Sequence, residues 1–263
     1  MDRTAVTIAL CALLVLAGCS ASSPGGDAGG TTTAPTTTET VPGFLAGDIY
    51  RGVAVETSAA LTHANNFTVV ARSNTTRLGG SGTPTSWRRN QTRVIRIDKT
   101  TRAIAIDTRL TNQDGSVVRR SRFVYNGTRY ARYRSADNVT YRATAAPAFQ
   151  PLASRFANVT GDLELYDLSY AGTTTFEGRQ VHVITGHNYS AGHVLFANIS
   201  NATTRAYVAQ TGRLLSLEQQ YTGTVGTQSG GEIRVRLRTH FRVRGLNSTS
   251  VGLPQWVNQR WGG

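Results

Sequence analysis

EIRVRLRTHFRVR, residues 232–244, decides how this chain folds. Ile233, Val235, Leu237, Phe241 and Val243 alternate with Arg234, Arg236, Arg238, His240, Arg242 and Arg244, and Thr239 is the only soft position on the apolar side. Side chains of an extended chain point alternately to the two faces of a sheet. Strict period two therefore predicts an antiparallel strand with one face buried and one face wet. The arginine row is either the solvent face or a grip for something anionic, and alternation alone accounts for the first.

The same pattern repeats outward from this strand. Upstream, extended segments are predicted at 181–185, 204–209 and 214–222, with Gln210-Thr211-Gly212-Arg213 as a hairpin turn and Gly226 to Gly231 as another reversal. Further back, segments 94–97, 102–110, 117–125 and 128–134 are separated by Asn112-Gln113-Asp114-Gly115 and Asn126-Gly127. Ile104, Ile106 and Leu110 share one face, and Ala103, Ala105, Asp107 and Arg109 the other. In the first strand Phe67, Val69 and Ala71 face inward, which sends Asn66, Thr68 and Val70 outward. Two helices are predicted. One covers 55–64, with Val55, Ala59, Ala60 and His63 on one side; the other covers 148–157, with Phe149, Leu152 and Phe156 on one face. Short turns and the absence of a βαβ rhythm give a mainly β, α+β domain. A sheet of this many strands must curl, so we expect a strongly curved antiparallel sheet or half-barrel with one or two helices covering its concave side.

The N-terminal end has different chemistry. Arg3 precedes an apolar run from Ala5 to Ala17, too short to span a bilayer, where about 20 residues are needed. It reads as the core of a signal peptide over residues 1–18. The run ends in Leu16-Ala17-Gly18-Cys19, which resembles a lipobox, so Cys19 is the expected site of lipidation. Two acyl chains on one residue make a lasting membrane anchor. Residues 19–41 are rich in Thr, Gly and Ser and form an expected spacer. Residues 42–263 form a single β-rich domain, large enough at about 220 residues to bury a core. Of the two cysteines, Cys11 leaves with the signal and Cys19 is alkylated, so no disulfide is expected.

Ten asparagines stand in Asn-x-Ser/Thr: Asn66, Asn74, Asn90, Asn126, Asn138, Asn158, Asn188, Asn198, Asn201 and Asn247. Only Asn65, Asn112 and Asn258 stand outside one, a density that points to a surface glycoprotein. The net charge of +13 comes from 28 basic residues, among which Lys99 is the only lysine. The arginines are not clustered into a nucleic-acid reader, so the expected partners are an anionic surface or glycan, and no nucleic acid.

Catalytic and metal motifs are sparse. His182, His187 and His193 form the only histidine cluster, with neither metal spacing nor a carboxylate among them. No nucleophile elbow, zinc-protease helix or phosphate-cradling loop occurs. We therefore expect no enzyme, no cofactor and no metal. Trp87, Trp256 and Trp261, with Tyr125, Tyr130, Tyr133 and Tyr141, either line an apolar cavity or serve as core and sheet-surface aromatics.

Several features together resemble the lipobox-bearing lipoproteins of unknown function from halophilic archaea. They are Leu16 to Cys19, the Thr-rich spacer, Pro42-Gly43 ahead of a short helix and Phe67-Thr68, the hairpin around Thr211-Gly212, and the ending Pro254-Gln255-Trp256. The basic charge departs from the acidic proteins usual in halophiles. The order helix, meander, helix, meander is more distantly similar to the half-barrel of periplasmic lipoprotein carriers and mycobacterial lipid-binding lipoproteins. That likeness implies a lipid-anchored surface protein, outside the cytoplasm, holding a hydrophobic or amphiphilic ligand in the concave side of its sheet. A structural or adhesive envelope glycoprotein with a filled core is the alternative. The sequence leaves the oligomeric state open.

Overall fold

The computed structural model describes residues 41–80, 88–189, 197–227 and 230–262. The signal segment, Cys19, most of the spacer, Trp87 and His193 lie outside the described residues. Helix α1 (Ile49–His63) precedes strands β1 (Asn66–Gly80), β2 (Arg88–Asp98), β3 (Ala103–Asn112), β4 (Val117–Tyr125), β5 (Thr128–Arg134) and β6 (Val139–Ala145). Helix α2 (Phe149–Ala157) and a 3-10 turn at Gly161–Leu165 lead into β7 (Asp167–Phe176), β8 (Arg179–His187), β9 (Ala197–Ala209), β10 (Leu214–Gly226) and β11 (Glu232–Arg244), and α3 (Gln255–Trp261) follows. The eleven strands make one curved, unclosed sheet in the order β6-β5-β4-β3-β2-β1-β11-β10-β9-β8-β7, and every pairing is antiparallel.

The decisive strand behaves as its pattern requires. Ile233, Val235, Leu237 and Val243 are buried, while Arg234 and Arg244 are exposed. Thr239 is buried with them, and Phe241 is only half-buried because it borders a cavity described below. Turn chemistry sets the registers. Asn126 and Gly127 both take the left-handed backbone, the conformation that closes a two-residue hairpin, and Tyr125 pairs with Thr128 across it. Glu177-Gly178 does the same between Phe176 and Arg179, without the asparagine that would have announced it.

The main core lies on the concave side. Phe67, Val69, Ile97, Ile104, Leu217 and Val243 pack there against Val53 and Leu61 of α1 and Ala153 of α2. Helix α1 begins six residues earlier than the sequence suggested, because Asp48 caps it by accepting from the Arg51 amide at 3.0 Å. Its buried face is Val53, Thr57 and Leu61; Val55 is 57% exposed, which corrects the face expected from Val55, Ala59 and His63. Gly52 sits in this helix because a Cβ there would lie 1.6 Å from the carbonyl oxygen of Phe44. At the other end Lys99, the sole lysine, donates to the Leu61 and Thr62 carbonyls at 2.6 and 2.7 Å, where α1 leaves acceptors unfilled.

The convex side is not uniformly wet. Residues 245–262 fold back across it, so Ala103 and Phe123 are buried against Val251 and Val257. Thr68 and Val70, expected to face solvent, are 8% and 5% exposed. The Thr249 hydroxyl meets that of Thr68 at 2.9 Å, and the Thr249 amide donates to Asn66 Oδ1 at 2.7 Å. Asn247 Oδ1 accepts from the Asn65 amide at 2.8 Å, which clasps the start of β1 to the end of β11.

Candidate ligand cavity on the concave side

Register places particular residues of β2, β3 and β4 side by side. Ile97 pairs with Ile104 and Ile104 with Val124, which gives an apolar row under the helices. The next row is Ile95, Ile106 and Arg122; the one after is Arg93, Thr108 and Arg120; Gln91 and Leu110 follow. Moving outward from the core, the concave face changes from hydrocarbon to guanidinium within two rows.

Over these rows, between the sheet and α2, lies a cavity of about 540 Å³. Its apolar wall includes Val69, Ile95, Ile106, Leu110, Val124 and Phe241, with Leu152 and Phe156 of α2 above. Among the described residues its polar wall holds Arg93, Arg120, Arg122, Arg129 and Arg155, with Asp162 as the one carboxylate. Gln91 is 5% exposed, and its amide nitrogen has no partner. The buried Nε of Arg120 also has none, although its guanidinium lies 5.6 Å from the centre of the Tyr133 ring. Buried donors are nearly always satisfied, so two orphans facing one cavity call for an explanation.

The arginines of β11 have other surroundings, on the opposite face. Arg242 pairs with Glu177 and lies 5.1 Å from the Phe176 ring, which stacks on Tyr207 at 4.6 Å. Arg238 donates to Gln220 at 2.8 Å. His240 Nε2 lies 2.7 Å from the hydroxyl of Ser216, which is 1% exposed. That hydroxyl donates onward to the Phe241 carbonyl at 3.1 Å, so the imidazole donates to Ser216. Burial, with Arg242 and Arg72 nearby, lowers the pKa of His240 to about 4. The serine proton is already committed and the hydroxyl is closed off, so this dyad braces β10 against β11 and does not form a nucleophile. Glu218, 4.0 Å from His240, has its pKa raised by burial despite Arg205 nearby.

A profile of a single family spans residues 4–260 of the chain. The chain belongs to DUF7537, a family of unknown function. Among curated proteins none matches. Among solved structures the chain is similar to the Mycobacterium tuberculosis lipoprotein LppX, at 14% identity and a TM-score of 0.39, covering 77% of this chain and 97% of that one. It is also similar to a LolA superfamily protein from Nitrosomonas europaea, at 11% identity and a TM-score of 0.20, covering 79% and 96%. A third likeness is to the MucA/MucB complex of Pseudomonas aeruginosa, at 14% identity and a TM-score of 0.26, covering 78% and 59%.

The residues singled out in this DUF7537 chain fall in different places. His182 is buried on the concave side and bonded to Tyr170 at 3.2 Å, whereas His187, an odd number of residues on along β8, is exposed on the convex side. Among the described residues no group of histidine, cysteine or carboxylate is placed to hold a metal ion. Trp256, Trp261, Tyr130 and Tyr141 meet on the convex side, with Tyr130 and Trp261 ring centres 5.1 Å apart. Tyr130 and Tyr141 are sheet-surface aromatics covered by Trp256 and Trp261 of α3, and none of the four lines the concave cavity. Of the ten sequon asparagines nine are exposed and Asn66 is half-buried. Five of them, Asn126, Asn188, Asn198, Asn201 and Asn247, have positive φ, a backbone state that asparagine tolerates better than most residues. Those five have a local reason to be asparagine besides any glycan. Among the described residues no helix is long and apolar enough to cross a membrane.

The arginines and Gln91 of the cavity were missed in the sequence. A signal was present in Arg119, Arg120, Arg122 and the run Arg129 to Arg134, which break period two where β11 keeps it.

Proposed function

We propose that this protein is a lipid-anchored glycoprotein on the outer face of the cell membrane that holds a hydrophobic or amphiphilic ligand in its concave cavity. The observation that carries this reading is the cavity of about 540 Å³, within the range of roughly 300–1,000 Å³ common to small-ligand sites. Leu152 and Phe156 line it and do not fill it. That favours a binder over a structural protein with a filled core. The lining offers guanidiniums and amides, groups suited to holding a ligand rather than transforming it, so the proposal is a binding protein and not an enzyme.

The anchor at Cys19, the archaeal surface setting and the sequon glycans belong to the same proposal. The lipobox pattern supports the first, and the exposure of nine sequons is compatible with the last. Asn74 and Asn90 face each other across β1 and β2, and their amides bond at 2.5 Å, so a glycan on one crowds the other.

Native mass spectrometry of the membrane-extracted protein tests the central claim. A co-purifying lipid mass that disappears on denaturation is the expected result. A bare polypeptide that also takes up no added amphiphile would overturn the reading. For the anchor, Cys19→Ser is expected to leave the detergent phase that wild type enters; equal partitioning of the two would remove lipidation from the account.

A further inference from the structure

Away from the cavity, one end of the convex face is both aromatic and basic. We propose that this end, built by β4, β5, β6 and α3, docks on the anionic lipid surface to which the chain is tethered. The docking rests on the membrane setting proposed above and does not depend on what fills the cavity.

Register assembles the surface in three rows. Tyr130 lies between Phe123 and Ala143, Arg132 between Ser121 and Tyr141, and Arg134 between Arg119 and Val139. All share the side on which Phe123 is buried against Val251 and Val257. Helix α3 sets Trp261 against Tyr130, with ring centres 5.1 Å apart, and Arg260 over the Tyr141 ring at 5.9 Å. Arg132 lies 5.4 Å from the Trp256 ring. A ring face attracts a guanidinium without cancelling its charge, so the positive potential stays at the surface.

Exposure sets this end apart. Seven large apolar or aromatic side chains are exposed among the described residues, and four of them, Tyr125, Val139, Tyr141 and Leu253, are here. Such grouping marks a contact surface, whereas single exposed apolar residues need no explanation. Charge is one-sided as well. Asp137 is the single acidic residue from β4 to β6, and α3 has none. Asp107 on the neighbouring β3 is already paired with Arg96 at 3.0 Å.

The arginines call for an anion, and Val139 and Leu253 for hydrocarbon. An acidic polysaccharide offers only the first, whereas a bilayer of acidic lipids offers both. Tyrosine and tryptophan suit its boundary, since each has an apolar body and a polar tip. The outer residues of α3, Gln255, Asn258 and Gln259, are exposed amides suited to headgroups. Residues 19–41, at about 3.3 Å each when extended, give the domain ample reach to turn this face to the membrane. Tyr125 also lines a cavity of about 430 Å³ that shares Val124 and Pro147 with the ligand cavity. Docking here brings that end of the concave side close to a source of amphiphile. Asn126 and Asn138 stand at the two ends of β5, where a glycan would hold the face off the bilayer, so both are expected to be unoccupied.

The test reconstitutes the lipid-anchored full chain, in a Trp87→Phe background, into vesicles of phosphatidylcholine alone or with about 30% phosphatidylglycerol. Their acyl chains are brominated near the headgroup. Bromine quenches an indole only on close approach, so Trp256 and Trp261 report docking while the tether is the same in every sample. Emission is expected to fall by roughly half in anionic vesicles, and by roughly half as much in neutral ones or in about 1 M salt, where charge is screened beyond about 3 Å. Arg134→Glu is expected to bring the anionic value down to the neutral one. Arg234→Glu, equally exposed but five strands away on β11, is expected to leave it unchanged. Both positions are exposed, so both variants are expected to melt with wild type. Equal quenching in the two vesicle types, an equal loss from both variants, or a glycan on Asn126 or Asn138 would overturn the docking surface. Binding of dextran sulfate through Arg134 without quenching by lipid would give the face to an acidic glycan instead. Sedimentation separates this failure from that of the anchor. A chain that does not sediment with vesicles loses anchor and dock together, and one that sediments unquenched loses the dock alone.

Discussion

The arginines of β11 and those of β2 and β4 sit on opposite faces of one sheet, and their surroundings differ in kind. On β11 they follow strict alternation, and Arg242 and Arg238 have partners: Glu177 and Phe176 for the first, Gln220 for the second. On β2 and β4 they break alternation and face a cavity with one carboxylate among its lining groups. Composition treats the two sets alike. What separates them is where they sit: Arg238 and Arg242 lie on the convex face, whereas Arg93 and Arg120 line the concave cavity.

The largest test of this contrast concerns the packed half of the concave side. Leu237 is 7% exposed and packs with Tyr166 and Tyr221. Leu237→Arg is expected to cost about 3 kcal/mol or more, because nothing there opens to accept the charge. Thermal melting reads this directly; a variant melting within a degree or two of wild type would mean that the packed half is as open as the cavity.

A smaller effect concerns pH on the convex side. His240 has a folded-state pKa of about 4, below its ordinary 6.5, so protonation favours the unfolded chain. Its contribution is complete above about pH 6.5 and is lost as pH falls toward 4. After allowance for the 29% exposure of the side chain, the loss is about 1–2 kcal/mol. The raised pKa of Glu218 works in the opposite direction at acid pH, so the informative quantity is wild type minus His240→Gln. Denaturant melts at pH 7.5 and 4.5 are expected to converge for that variant relative to wild type.

Arg120→Leu is expected to stabilise the ligand-free protein by about 1 kcal/mol, since it removes a charge with an unmatched donor. A loss of stability instead would assign Arg120 a structural role. The smallest effect is expected for Arg236→Leu, half-buried on the convex side, at well under about 1 kcal/mol.

How much of this was legible in the sequence follows the same division. Strands β4, β5 and β11 were found with their observed ends, because alternation and turn residues both mark them. Strand β6 is an edge with nearly every residue exposed, so it has no buried stripe to betray it. Strand β7 is the other edge, rich in threonine and interrupted by a bulge between Tyr170 and Thr173. Helix α3 is seven residues long, too short for a clear period. The cavity could not be read at all, because Arg93, Thr108 and Arg120 meet through register across three strands and not through spacing along one.

The strand order has a consequence for how the protein is assembled. Strands β1 to β6 run outward from the centre in chain order and β7 to β11 run inward to it, so β1 and β11 are the one adjacent pair not consecutive in sequence. Val69 meets Val243 there, across nearly the whole chain. Each meander is built from local hairpins that close quickly, whereas the seam must wait for both and carries the entropy of one long loop. The molecule is in effect two independently nucleating leaves bound along a spine. Severed in the connection between β6 and α2, the two leaves hold complementary long edges, β1 and β11, through which to reassemble as a split pair.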